Sequence, residues 1–395
     1  MSHKLTALTN YQHEREDPED YLRDLLIKHH QTRDEQIDNL LAADSFMSKQ
    51  TLCYLSDPIA GHSAAGHIGV HNRYFAGTRY IDDIDSLCHH LCSDLFSVEF
   101  CEHRVLGGTQ ANMIVYVALL RPGDRVCVVS PQCGGDSSTH ENSILSKLNV
   151  NIDNIPFTQD LSIDFELLEK QFKQHPYRLL SFGFSVSLIQ PDFYQLIELC
   201  HRYGVICHID CAHELALIAN GLFPNPLKFG ADIMTASTGK AFAGPPGGII
   251  LWNDKGFSEA LVNHTFPFSV GGYQNNRVLA LAQTLIEYKQ GKKYYLKQAM
   301  QLSKLLADIL TESGVSIARY RGVATCTHHL VIDCPKQDPR RVMHQLEENH
   351  ILTSLAVIPL TNRVGLRLST IQPAIRQYEH KDLLKLAFRV RESIF

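Results

Sequence analysis

Four short stretches of the 395-residue chain carry side chains able to do covalent or acid–base chemistry. In "TASTGKAFAGPPGG" (235–248), Lys240 stands between hydroxyl-bearing residues and a glycine–proline loop. It follows "DIMTAS" (232–237), which reads as a strand end, and the edge of a parallel sheet is where ligands of open α/β sheets bind. Thirty positions earlier, "HIDCAH" (208–213) closes an apolar strand with Asp210 and adds His213. In "LGGTQAN" (106–112), two glycines and Thr109 open an apolar helix, where free backbone N–H groups and the helix dipole favour a phosphate. "VGLRLST" (364–370) puts Arg367 in a strand with Leu366 and Leu368 on the opposite face, a placement suited to a bidentate grip on a carboxylate.

Taken singly, each has a plainer reading. Lys240 could be solvated, Asp210 a helix N-cap, the glycine pair an ordinary turn and Arg367 half of a surface ion pair. In the order phosphate turn, carboxylate, amine, guanidinium, they outline a fold-type I pyridoxal 5'-phosphate (PLP) enzyme. There a lysine carries the cofactor as a Schiff base, and an aspartate keeps the ring nitrogen protonated so that the ring withdraws electrons.

The elements that must position these residues are legible in the texture of the chain. "RVCVVS" (125–130), "RLLSFGFS" (178–185), "VICHID" (205–210) and "GGIILW" (247–252) are nearly continuous apolar runs, expected as buried parallel strands. "QANMIVYVALL" (110–120) and "DFYQLIELCHRY" (192–203) between them read as helices, which implies an α/β fold with a covered sheet. After about residue 275, two long helices precede the expected strands "HHLVIDC" (328–334) and "VGLRLST", with a helix between them. The expected organisation is an N-terminal helical arm (1–60), a large cofactor-binding domain (61–275) and a small α+β C-terminal domain (276–395). Leucines at 22, 25, 26, 40 and 41 suggest amphipathic helices in the arm.

Composition narrows the function. A net charge of −5 argues against nucleic-acid or membrane-surface partners, which favour basic patches. No apolar run reaches the roughly 18 residues of a spanning helix, and the start of the chain lacks a signal peptide's apolar core, so a cytoplasmic protein is expected. Its 11 cysteines are an odd number scattered through expected strands and helices, which reads as reduced thiols. Cys88 and Cys92 share a helical face beside His89 and His90, but no second ligand pair follows at suitable spacing, so no metal is expected.

These stretches resemble the serine hydroxymethyltransferase family over about residues 37–371. "HIDCAHELALIANGLFPNP", "DIMTASTGKAFAGPPGGIIL", "QANMIVYVALLRPGDRV", "RYFAGTRYIDDIDSL" (73–87) and "GLRLST" carry the resemblance, with a "GG.....V.A" pattern at 271–280. It implies the aspartate aminotransferase-like fold, with a mostly parallel sheet in the large domain. Lys240 would be the Schiff-base lysine, Asp210 the ring-nitrogen partner and His213 the neighbour of the phenolate oxygen. Gly108, Thr109 and Ser237 would contact phosphate, Ser185 would lie near the ring, and Arg367 would hold the substrate carboxylate. Gly271 and Gly272 would reach the phosphate of a neighbouring subunit and Tyr74 its active site, implying a homodimer with shared sites.

The departures bear on the reaction. Gly239 stands where the family has histidine, Pro246 where its loop has arginine, Ala43 where it has a substrate-side serine, and Asp136 or His140 where a histidine stacks on the ring. The family's folate-side glutamate is missing from "GHSAAGHIGVHN" (61–72), in which His67 falls nearby. The long loop bearing a folate-contacting asparagine is cut to "TSLAVIPLTN" (353–362). The implied activity is aldol, retro-aldol or transaldol chemistry at the Cα of a small amino acid (glycine, serine or threonine type) with an aldehyde partner, independent of folate. Folate-dependent hydroxymethyl transfer, racemisation, transamination and a non-catalytic PLP-binding role are the alternatives.

Overall fold

The computed structural model describes residues 17–33, 36–69, 71–140 and 143–395. Residues 1–16, where no signal peptide is expected and which belong to the expected arm, lie outside the described residues. Twelve strands are assigned: β1 (Asp38–Asn39), β2 (Phe100–Glu102), β3 (Arg125–Val128), β4 (Asn151–Asn154), β5 (Leu179–Gly183), β6 (Ile206–Asp210), β7 (Ile233–Ser237), β8 (Gly248–Trp252), β9 (His329–Ile332), β10 (Ile351–Leu352), β11 (Ser354–Val357) and β12 (Val364–Ser369). Seven of them form one sheet in the order β2-β8-β7-β6-β5-β3-β4, with helices in the connections.

The strands β4, β3, β5, β6 and β7 run parallel, as their apolar runs predict. β8 does not: it is antiparallel to both β7 and β2. The run "GGIILW" reports burial, which all five β8 residues share, but burial carries no information about direction. Direction follows from the link. Only residues 238–247 join β7 to β8, too few for the crossover that a parallel neighbour requires, so the chain doubles back. That tight return is the lysine-bearing loop.

The helix Gly108–Leu119 is mostly apolar, and it buries Ala111, Ile114, Val115, Ala118 and Leu119 in a layer that packs on β7 and β8. An Ile114→Ala cavity there is worth roughly 2–5 kcal/mol. C-terminal to this layer, β11, β12 and β9 make a separate antiparallel sheet, backed by the helices Pro339–Glu348 and Tyr295–Glu312. The helix expected between two strands is present. The shortened segment 353–362, expected as loop, instead supplies β11, paired residue for residue with β12 from Ser354↔Arg367 to Val357↔Val364.

The N-terminal leucines behave differently from one another. Leu22, Leu25 and Leu26 lie on the helix Pro18–Gln31, which buries no residue within the chain. Leu40 is fully buried, but in extended chain just after β1, which pairs with β10. The expected second amphipathic helix is absent there among the described residues. Backbone pairing to a distant strand overrides the leucine pattern.

A buried ion cluster fixes the segment that precedes the helix Arg79–Phe96. Arg73 pairs with Asp85 at 2.6 Å and Asp82 at 2.9 Å, and donates to the Ala64 carbonyl at 2.6 Å. Asp85 also accepts from the Tyr273 hydroxyl and meets His103 Nε2 at 2.8 Å. Burial opposes a charge on His103, yet neighbouring Cys88 and the Asp85 carboxylate raise its pKa to about 9. A folded pKa above the unfolded value stabilises below the unfolded value, near 6.5, and that contribution is lost as pH rises through about 9. Removing one member of such a cluster costs about 3–5 kcal/mol. Asp85→Asn should therefore lower the melting temperature markedly at pH 7, and the gap to wild type should narrow between pH 7 and 10. A gap that stays constant over that range would contradict the charged His103–Asp85 pair.

Candidate active site

The site forms where β6, β7 and the start of the helix Gly108–Leu119 end at the same sheet edge. Gly107, the residue before that helix, is extended and offers no side-chain cap, so the first-turn N–H groups of Gly108 and Thr109 point outward without a capping partner. A Cβ on Gly108 would sit 3.1 Å from the Ser237 Cβ, and one on Gly248 would lie 2.4 Å from the Gly107 carbonyl oxygen. Bare backbone is what lets the turn, β7 and β8 close together. Ser237 Oγ has only a 3.5 Å contact to the Gly247 carbonyl, leaving the hydroxyl free to serve an anion. Gly108, Thr109 and Ser237 thus make a cup of N–H and O–H donors.

Asp210 ends β6. Its Oδ1 accepts from the Ala212 N–H at 2.9 Å and its Oδ2 from Asn112 Nδ2 at 2.7 Å. The N-cap-like bond and the functional placement therefore coexist. Burial raises its pKa, while Asn112 and Lys240 act in the other direction. The backbone of Gly183 passes so close that a Cβ there would lie 2.7 Å from the Asp210 Cβ.

Lys240 is mostly buried and its Nζ lies 3.1 Å from His213 Nε2. Burial lowers the pKa of its ammonium; Asp210 and Asp136 oppose that shift and Arg367 adds to it. His213 is held well below the usual imidazole range by burial, Lys240 and Arg367. It is therefore neutral. With Nε2 facing two cationic donors, the proton belongs on Nδ1, which is buried and has no partner.

Arg367 comes from β12, across the gap from the main sheet. Its NH1 donates to the Ser185 carbonyl and approaches His213 Nε2 at 3.4 Å, while its buried Nε has no hydrogen-bond partner among the described residues. Ser185 Oγ donates to Asp136 Oδ2 at 2.9 Å, and Asp136 Oδ1 accepts from the Ser138 N–H at 2.7 Å. Burial raises the Asp136 pKa, but Ser138, Ser185 and Lys240 bring it below the usual carboxylate range. Asp136 is electrostatically joined to Lys240 and Arg367.

The structure thus brings Lys240, Asp210, His213, Ser185, Ser237, Gly108, Thr109 and Arg367 to one edge. His67, Tyr74, Gly271 and Gly272 are not part of that cluster within the single chain. His67 packs on Phe266 and lines a separate cavity of about 400 Å³ with Asp85, Arg104 and Trp252. Tyr74 is 74% exposed beside the same Phe266, and Gly271 and Gly272 lie exposed with open space around them. The departures at 239 and 246 lie side by side: a Cβ on Gly239 would lie 2.9 Å from the Pro246 Cα, a backbone approach that favours glycine at 239.

Sequence reasoning missed three residues here. His328 and His329 bring their ring nitrogens within 4.8 Å of those of His213. Lys240 and Arg367, both within hydrogen-bond reach of His213, make that cluster a poor host for a further cation. Glu214 is fully buried beside Ser187 and Asp210, and burial pushes its pKa up to about 7. The paired histidines of "THHLVID" inside an apolar run were the available signal.

The donor set fits PLP. An uncapped helix start suits a phosphate, a buried carboxylate suits a protonated ring nitrogen, a desolvated amine suits a carbonyl carbon, and an unspent guanidinium Nε suits a carboxylate. Gly183→Ala should displace Asp210 and weaken PLP binding at least about tenfold, with an overpacking cost of about 1–3 kcal/mol. A titration of apo-protein with PLP, followed by visible absorption, checks it; unchanged affinity would mean that Gly183 does not set the position of Asp210.

A family model described as serine hydroxymethyltransferase matches residues 15–390. Curated proteins of the same name are similar along nearly the whole chain. That of Pyrobaculum calidifontis is 30% identical over 369 residues, covering 92% of this chain and 85% of the relative. Those of Pyrobaculum arsenaticum and Thermoplasma acidophilum are each 31% identical, covering 92% and 94% of this chain and 85% and 89% of the relatives.

Proposed function

The chain belongs to the serine hydroxymethyltransferase family of PLP-dependent enzymes, and from that premise we propose that it makes or breaks a carbon–carbon bond at the Cα of a small amino acid without folate. Glycine, serine and threonine are the substrates that the relatives' name and the tight site suggest, with an aldehyde as partner.

Bound at this edge, PLP supplies an electron sink conjugated to the substrate Cα. The chain's own residues do the rest. Arg367 grips the substrate carboxylate with the N–H groups left over from its bond to Ser185, fixing which Cα bond faces the ring. Asp210, whose charged form is favoured by bonds from Asn112 and the Ala212 N–H, would hold a proton on the ring nitrogen. Lys240 Nζ and His213 Nε2, already 3.1 Å apart, form the pair able to pass a proton at the reacting centre. Asp136 offsets the charge of Lys240 and Arg367, which would otherwise crowd two cations into one buried site.

One observation supports the folate-independent reading: the segment 353–362 is short and fastened against the rest of the chain. It is consumed by β11 and a turn whose Leu360 N–H donates to the Gln132 carbonyl at 2.7 Å. Pro359 in that turn packs over Gly134, 3.2 Å from where a Cβ would stand, and the Tyr320 hydroxyl donates to the Pro359 carbonyl. The turn is fastened down on the approach to Asp136 and Ser185.

A homodimer completes the reading. The exposed Tyr74, Gly271 and Gly272, together with the uncovered leucine face of the helix Pro18–Gln31, are surfaces that a second copy would cover. In such a dimer His67 would act at the site of the partner.

The test is aldehyde release from threonine and serine by holo-protein, with and without tetrahydrofolate. Turnover should be the same in both; a strong folate-dependent rise would sink the folate-independent reading. His67→Ala should cut that turnover about 100-fold or more while PLP absorption stays intact, as expected for loss of a group that moves a proton. Unchanged turnover would remove His67 from the site.

A further inference from the structure

A row of polar side chains lies behind Asp210, inside the otherwise apolar layer between the sheet and the helix Gly108–Leu119. Asn112 and Tyr116 are four residues apart on one face of that helix. Beneath them are Ser181 of β5, His208 of β6 and Thr235 of β7; Ser181 and His208 are register partners, as are Asp210 and Thr235. Each of the five is at most 3% exposed. The contacts run without a break: Asp210 Oδ2 to Asn112 Nδ2 at 2.7 Å, Asn112 Oδ1 to Thr235 Oγ1 at 2.6 Å, Thr235 Oγ1 to His208 Nε2 at 2.8 Å, His208 Nδ1 to Ser181 Oγ at 2.9 Å, and Ser181 Oγ to Tyr116 OH at 2.8 Å.

The direction of every hydrogen bond follows from its carboxylate end. Asp210 can only accept, so the Asn112 amide must present its N–H there and its oxygen to Thr235. Thr235 must then donate to that oxygen, which leaves its lone pair to accept from His208. His208 therefore carries its proton on Nε2 and accepts at Nδ1 from Ser181, whose oxygen accepts in turn from Tyr116. All five donors point toward Asp210. Bonds aligned in this way polarise one another, and in a water-free interior the effect falls on the terminal charge.

We propose that this chain, with His208 as its pivot, is a positioning device that holds the Asn112 amide in the one orientation able to keep Asp210 ionised against the cofactor ring. His208 reinforces the orientation that the carboxylate sets, because it is the sole donor to Thr235 among the described contacts and so commits the Thr235 hydroxyl to donate to the Asn112 oxygen. Without it the Thr235 hydroxyl is free to rotate away from the Asn112 oxygen, and the amide is held only at its nitrogen end. Burial pushes the His208 pKa down to about 3, so the imidazole stays neutral and keeps one donor and one acceptor. None of these five residues is needed to touch substrate.

The inference rests on Asp210 as the ring-nitrogen partner, and the experiment separates the two. Apo-protein of wild type, His208→Leu, His208→Gln and Thr235→Val is titrated with PLP, and the visible band of each loaded protein is followed against pH. His208→Leu should weaken PLP binding about tenfold or more and move the pH at which the band changes. His208→Gln, whose amide N–H can reach Thr235, should restore both to within about threefold of wild type. Thr235→Val, which keeps the shape and the strand but removes the hydroxyl, should reproduce His208→Leu and decides the matter if that variant does not fold. Wild-type affinity and pH profile in Thr235→Val would overturn the proposal, whatever the change in melting temperature. Absence of a visible band in wild type would instead be a failure of the cofactor site itself.

Discussion

Everything at this sheet edge depends on one buried negative charge. Burial raises the Asp210 pKa, and Asn112, Lys240 and the Ala212 N–H act in the other direction. Asn112 and the Ala212 N–H satisfy its two oxygens, Gly183 gives up a side chain to make room for it, and Lys240 supplies the opposite charge from the loop after the neighbouring strand β7. The cost of desolvating a carboxylate is several kcal/mol, so such an arrangement persists only with this much compensation. Its consequence is chemical: an acceptor fixed on the protein side keeps a proton on any pyridine nitrogen set against it.

Around that charge the site is built from mutual accommodation rather than from independent residues. The backbone of Pro246 passes so close to Gly239 that a side chain at 239 would meet its Cα. Lys240, Arg367 and His213 share one lone pair at His213 Nε2, which forces the imidazole to be neutral and puts its proton on the far nitrogen. Asp136, tied down by Ser185 and Ser138, offsets the two cations. A change in reaction within the family can thus be read as a change in how these few charges are balanced.

Much of this was legible in the sequence because local chemistry dictated it. The strand ends carrying Asp210 and Ser237, the glycine turn before Thr109, the lysine loop and the strand around Arg367 each combine a periodicity with a residue type whose role is narrow. The errors have equally physical origins. β8 looked parallel because apolar continuity reports burial on both faces and says nothing of direction, which the ten-residue link decided. Segment 353–362 looked like loop because β11 depends on a partner strand rather than on its own pattern. Leu40 looked helical, but β1 takes its structure from β10. The relay through Thr235, His208 and Ser181 was hidden because its members come from three separate strands. In each, a lone polar residue in an apolar run reads as noise until register sets them side by side.

The central claim is that the Asp210 charge, not merely its shape, builds the site. Asp210→Asn removes that charge with almost no change in volume, so comparing PLP affinity of the variant and wild type by visible titration isolates it. The account predicts that the variant folds with a melting temperature at or above that of wild type, because a desolvated charge is gone, yet binds PLP at least about tenfold more weakly. Equal affinity in the two proteins would contradict it.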